Sequence, residues 1–228
     1  MFEFAPGEFM SAQVGQTDHS FFLRKLHSLT GLIPVGAYMA DHLFENSYSL
    51  VSPDKYNEAS RALQTVPWRL PLEIGIIWLP ILYHAAYGFY IWNHGKMNVS
   101  QYPWVGNWMF ALQRWTGLIA FAFLGWHLYT ERFVTHGMST YAIVNQDMQS
   151  PWFFSFFLIG VIACSIHLGV GIWNFVCKWG FAATVRSQRA AGYLGVAVAA
   201  IMLIMSVTVV VCFRFGWHPL DAYLQAQK

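Results

Sequence analysis

Apolar residues along this chain gather into five long runs separated by short polar stretches. The runs cover about 26–44, 70–92, 108–129, 153–176 and 190–213. Each is long enough to cross the roughly 30 Å hydrocarbon core of a bilayer as a helix. In hydrocarbon a helix satisfies its backbone polar groups within its own segment. The pattern therefore predicts an all-α integral membrane bundle of five transmembrane helices. Trp68, Trp92, Trp104, Trp108, Trp152 and Trp179 stand at or near the run ends, where interfacial tryptophans belong. Pro34 and Pro80 fall inside the first and second runs and should bend them. Between these runs, SPDKYNEASRALQTV offers Ser52 as a cap and Pro53 at the first helical position. Its apolar Tyr56, Ala59, Leu63 and Val66 predict a short amphipathic helix on the membrane surface.

Composition agrees. Of 228 residues 56% are hydrophobic, 18% aromatic and only 11% charged, against about 25% charged in a soluble domain. A net charge of +2 says nothing about nucleic acid, but no basic cluster stands beyond short loop pairs, so no nucleic-acid partner is expected and the lipid bilayer is the main surroundings. Seven basic residues flank the runs on the side of the N-terminus and six on the other. This weak excess places the N-terminus in the cytoplasm. The expected organisation is a cytoplasmic segment 1–21, a membrane domain 22–214 and an outer tail 215–228. The opening residues lack a basic start followed by an apolar core, so no cleavable signal is expected. Cys164, Cys177 and Cys212 form no CxxC pair and read as buried apolar residues, which argues against an iron–sulfur cluster. No GxGxxG nucleotide fingerprint is present.

Histidines change the picture. Of nine, His42, His84, His127 and His167 fall one each in the first four runs. A ring with two polar nitrogens needs a partner in hydrocarbon. His84 lies 9 residues from Asn93, and His167 lies 11 from Lys178, which is roughly 14–17 Å of helix. His42 lies 17 residues from Lys25, and His127 lies 13 from Arg114, roughly 20–26 Å. The four thus form two level pairs. Two level imidazoles on facing helices can clamp a haem iron from both sides and leave no open position on the metal. Such a haem carries electrons and does not activate small molecules. Gly88 and Gly171 each follow a histidine by four residues and would leave room for a flat macrocycle. LTG before His42 and WTG before His127 mark a weak repeat of the first two runs in the next two.

At this point a family likeness becomes visible. FLRKLHSLTGLIPVGAYMADHL (22–43), LEIGIIWLPILYHAAYGFYI (72–91), NWMFALQRWTGLIAFAFLGWHLYTER (107–132) and SIHLGVGIWNFVCKWG with RSQR (165–189) carry it. The chain resembles the di-haem cytochrome b membrane-anchor subunit of succinate dehydrogenase and fumarate reductase. The likeness is to the single-anchor, five-helix type found in Gram-positive succinate:menaquinone reductase. That resemblance implies His42 and His127 as axial ligands of a distal haem b on the outer side. It implies His84 and His167 as ligands of a proximal haem b facing the cytoplasm, with His27 close by but not a ligand. It also implies flavoprotein and iron–sulfur partner subunits, with menaquinone or another quinone as the electron acceptor. A multi-pass location in the bacterial cell (inner) membrane is implied as well. A higher oligomer of the whole complex stays open.

Quinone reduction takes up protons, so a carboxylate near the distal haem is expected. Glu73 is the first candidate, with Asp41 and Glu58 behind it. Asp41 could instead orient His42. Anionic haem propionates need donors, for which Arg24, Lys25, His27, Ser28 and Arg114 serve the proximal side and Tyr129 and Arg132 the distal side. Two other readings compete. One is a cytochrome b anchor for another membrane dehydrogenase. The other is a haem-free transporter using the histidines as a relay, which should show acids at histidine depth, where only Asp41 stands.

Overall fold

The computed structural model describes residues 20–95, 97–134 and 139–225. They form five long helices and three short ones. Helix α1 covers 20–46, α3 Arg69–His94, α4 Val105–Phe133, α6 Pro151–Lys178 and α7 Val185–Phe215. The short ones are α2 at Pro53–Gln64, α5 at Thr140–Gln149 and α8 at Pro219–Gln225. Among the described residues α3, α6 and α7 are long and apolar enough to cross a membrane by composition. Helix α4 matches them in length, with 29 residues, but carries polar side chains. Those face inward: Asn107, Arg114, Thr116 and Thr130 are buried, while Trp108, Trp115, Phe121 and Trp126 are exposed. A polar interior with an apolar exterior is the arrangement that lipid rewards.

Both internal prolines stand in or beside wider turns. A π-turn at Gly31–Gly36 contains Pro34. Another at Glu73–Trp78 ends just before Pro80, the second residue of the α-helical stretch that follows. Proline has no N–H to give and its ring collides with the carbonyl one turn back; an extra residue in the turn lets the chain pass. Helix α7 begins in a capping box, in which Thr184 Oγ1 accepts from the Ser187 N–H at 3.1 Å and Ser187 Oγ accepts from the Thr184 N–H at 3.0 Å. It stops at Gly216, whose φ of 61° suits a residue without Cβ.

The start of α1, the end of α3 and the end of α6 share one end of the bundle, the near end. Lys25 Nζ donates to the Lys178 carbonyl at 2.6 Å, and Trp179 Nε1 donates to Ser28 Oγ at 3.0 Å. At the far end α2 and α5 lie against the bundle. Ser52 Oγ caps α2 by accepting from the Lys55 N–H at 3.2 Å. Tyr56 turns inward and is 6% exposed, whereas Leu63 and Val66 stay exposed. Helix α5 is tied to α2 by Asn57 Oδ1, which accepts from the Tyr141 N–H at 3.0 Å. It is tied to α7 by Asn145 Nδ2, which donates to the Phe213 carbonyl at 2.7 Å. The apolar pattern predicts no element here, because TYAIVNQDMQ is too short and too polar for a span; it folds by burying Met148 and spending its amides on neighbouring helix ends. Past α7, His218 Nδ1 hydrogen-bonds the Ser49 carbonyl at 2.7 Å, so much of the expected tail 215–228 is stapled down. The expected segment 1–21 lies almost wholly outside the described residues.

Helices α6 and α7 make the closest pair. A Cβ at Gly169 would stand 2.5 Å from the Gly195 carbonyl oxygen, and one at Gly195 would strike Gly169 in return. Small residues let membrane helices approach backbone to backbone, where dispersion replaces the absent hydrophobic drive. Gly169→Val should therefore cost about 1–3 kcal/mol of overpacking and lower the thermal midpoint of the detergent-solubilised protein. Gly75→Ala, where no atom lies within 4 Å, should leave it unchanged; intrinsic tryptophan melts of both variants provide the check.

Candidate cofactor site

At the near end His84 of α3 and His167 of α6 face each other, with ring centroids 6.1 Å apart. Each ring is held by a backbone carbonyl one helix away. His84 Nδ1 lies 2.8 Å from the His27 carbonyl oxygen, and His167 Nδ1 lies 3.1 Å from that of Gln113. A carbonyl can only accept, so Nδ1 carries the proton and Nε2 keeps its lone pair. This is the tautomer a metal ligand needs. Gly31 and Gly117 let the rings come this close: a Cβ on Gly31 would overlap the His84 ring, and one on Gly117 would lie 2.9 Å from His167 Cε1. The Gln113 amide nitrogen stands 3.3 Å from His167 Nε2.

At the far end His42 of α1 and His127 of α4 stand with centroids 5.8 Å apart. His127 stacks on Phe123 at 5.4 Å and meets Phe157 edge-on at 5.5 Å. Its Nδ1 is buried without a hydrogen-bond partner. Asn46 donates to the His42 carbonyl at 2.7 Å, and its amide lies 3.3 Å from Nε2 and 3.4 Å from Nδ1 of that ring. A metal–imidazole bond of about 2 Å plus about 1 Å to each ring centre puts two imidazoles on one metal about 6 Å apart. Both pairs meet that spacing, so the donor set fits two metal centres with axial imidazoles at two levels of the bundle.

A repeat underlies this. His27, Thr30 and Gly31 of α1 correspond to Gln113, Thr116 and Gly117 of α4, position by position. Thr30 Oγ1 donates to the Leu26 carbonyl at 2.9 Å and Thr116 Oγ1 to that of Leu112 at 2.7 Å. From Gly31 to His42 is 11 residues, whereas from Gly117 to His127 is 10. The π-turn at Gly31–Gly36 takes up the extra residue and keeps His42 against His127. The glycines that matter to the rings are thus Gly31 and Gly117. Gly88 instead faces His27 at 3.1 Å, and Gly171 faces Gln113 at 3.6 Å.

The other expected residues scatter. His27 stacks on His84 with centroids 4.1 Å apart and planes 6° from parallel. Lys25 and Ser28 are engaged with Lys178 and Trp179, and Arg24 is exposed. Arg114 is 8% exposed, and its Nε and Nη1 are buried without partners. Tyr129 is exposed, and the Arg132 side chain lies outside the described residues. Of the expected acids, Glu73 pairs with Arg69 on its own helix, Glu58 is an exposed partner of Lys55 at 2.8 Å, and Asp41 is exposed. Asn46, not Asp41, contacts His42. Sequence reasoning missed Asn46, Gln113 and Glu131. The signal for two of them was available: Asn46 and Glu131 follow His42 and His127 by four residues, one helical turn further on the same face.

The family described as Succinate dehydrogenase/Fumarate reductase transmembrane subunit matches residues 94–207. A protein of Bacillus subtilis (strain 168) named Succinate dehydrogenase cytochrome b558 subunit is 39% identical over 182 residues, 78% of this chain and 89% of that protein. Identity at that level over nearly the whole relative leaves no room for a different fold or setting, and the chain belongs to the succinate dehydrogenase/fumarate reductase transmembrane-subunit family, as a multi-pass membrane protein.

Proposed function

We propose that this chain is the membrane anchor of a succinate:quinone oxidoreductase and conducts electrons across the bilayer between two bis-histidine b haems. Two level pairs of imidazoles, with centroids 6.1 and 5.8 Å apart, carry this reading. The Bacillus relative's name, a cytochrome b558, supports haem b as the group held. On this reading α1 and α4 are spans like α3, α6 and α7, the near end faces the cytoplasm, and the flavoprotein and iron–sulfur subunits dock there. Haem iron with two nitrogen ligands supplies reversible one-electron transfer.

The chain's own residues do the rest. The His27 and Gln113 carbonyls fix ring tautomer and orientation at the near pair, so no side chain need reorganise when charge arrives. The apolar walls, Phe123 and Phe157 at the far pair, exclude water. Arg114 answers the charge problem. A buried guanidinium with two idle donors costs several kcal/mol unless an anion meets it, and a haem propionate at the near end is that anion. The far end lies against the outer surface, where a quinone, menaquinone by family likeness, exchanges electrons and protons.

Two outcomes follow. Reduced-minus-oxidised spectra of the purified complex should show two low-spin b haems per chain. His84→Ala or His167→Ala should each remove about half of that absorbance, the same half, and His42→Ala or His127→Ala the other half; four variants with unchanged spectra would refute the ligand set. Arg114→Leu should release near-end haem to an apoprotein acceptor at least tenfold faster, from a loss of about 2 kcal/mol or more, with Arg114→Lys between it and the parent.

A further inference from the structure

Glu131 is an acid that the haem pairs do not explain. It follows His127 by one helical turn, at the far end of α4 and two residues beyond the apolar run 108–129. Its Oε1 is buried and has no hydrogen-bond partner. Polar groups of α2 and α5 lie within electrostatic reach of it. From α2 comes Tyr56, 6% exposed, whose hydroxyl donates to Asn46 Oδ1 at 3.2 Å. Asn46 in turn contacts the His42 ring and carbonyl. From α5 comes Asp147, and from α1 Glu45, which acts on Tyr56 together with Glu131. Hydrogen bonds therefore connect Tyr56 through Asn46 to His42 of the far pair, and Glu131 lies within electrostatic reach of the Tyr56 end of that chain.

We propose that Glu131 is the proton-handling carboxyl of this end, passing protons between outer water and the quinone that the far pair serves. The proposal rests on the reading above. Quinone plus two electrons and two protons gives hydroquinone; succinate supplies the electrons by way of the partner subunits. Glu131 gives up a proton toward the quinone oxygen and regains one from outer water at each step. Its Oε1, buried and without a hydrogen-bond partner, leaves the carboxyl able to hold a proton and to release it. The competing acids are spent: Glu73 on Arg69 and Glu58 on Lys55. Asp41 is exposed on the outer face of α1.

The purified complex decides the matter, with succinate-driven quinone reduction measured per haem b between about pH 5 and about pH 9. The parent should show a one-proton decline in rate as rising pH deprotonates the carboxyl. Glu131→Gln, with haem spectrum intact, should reduce quinone at least tenfold more slowly with a flat profile, and Glu131→Asp should restore part of the rate at a shifted midpoint. Redox-difference infrared spectra of the parent should contain a protonated-carboxyl band that Glu131→Gln lacks. If Glu131→Gln assembles without haem, Glu131→Asp carries the test: a shifted midpoint and band support the role, and unshifted ones overturn it. Parent-like rate, profile and carboxyl band in Glu131→Gln overturn the role of Glu131 alone. A parent complex without haem, or unable to reduce quinone, takes down the functional reading with it.

Discussion

Four imidazoles buried in apolar surroundings set the terms for this structure. Each ring carries two nitrogens that water would have satisfied, and a buried polar group left unpaired costs about 1–3 kcal/mol. At the near pair the outer nitrogen of each ring is answered by a carbonyl of the neighbouring helix. Those carbonyls are reachable only because Gly31 and Gly117 have no side chain, and because the threonines before them turn back onto their own helices. The two rings then stand with their centroids 6.1 Å apart, a separation that one metal ion between them would need. Local sequence, helix contact and donor chemistry are thus one constraint.

That constraint also explains an irregularity. Helices α1 and α4 present the same features in the same order, but α1 holds Pro34. A proline in a regular helix would kink it and carry His42 away from His127. The π-turn accommodates the ring and contributes one extra residue, which is why the histidine intervals differ while the rings still meet. The two ends of the bundle nevertheless differ in polarity. The near pair is closed by backbone carbonyls and a buried arginine; the far pair is walled by aromatics and opens toward Asn46, Tyr56 and Glu131. On the proposed reading electrons would pass both pairs, and the side chains suited to proton exchange, Tyr56 and Glu131, lie at the far end.

Much of this was legible in the chain. Hydrophobic runs marked the long helices to within a few residues, the Ser52–Pro53 signal marked α2, and helix rise alone paired the histidines. What escaped were features that depend on a neighbouring helix. Gly88 and Gly171 were attractive because they share a face with a histidine on the same helix, but helix α1 or α4 supplies the glycine that each ring touches. Carbonyl partners have no side-chain signature, so His27 and Gln113 could not be assigned that part. Helix α5 is held by tertiary amide contacts and lacks the apolar period that reveals longer helices. Glu131 escaped for a plainer reason: it stands just past an apolar run, where acids are ordinarily solvated, and its buried Oε1 is a product of tertiary packing that no local pattern shows.

The native mass spectrum of the complex, with this chain ejected in mild detergent, tests the central claim most directly. The account predicts a chain carrying a mass excess of two haem b, reduced to one when His84 is replaced by alanine. A parent chain ejected at its bare polypeptide mass from a complex that shows no b-haem absorbance would contradict it.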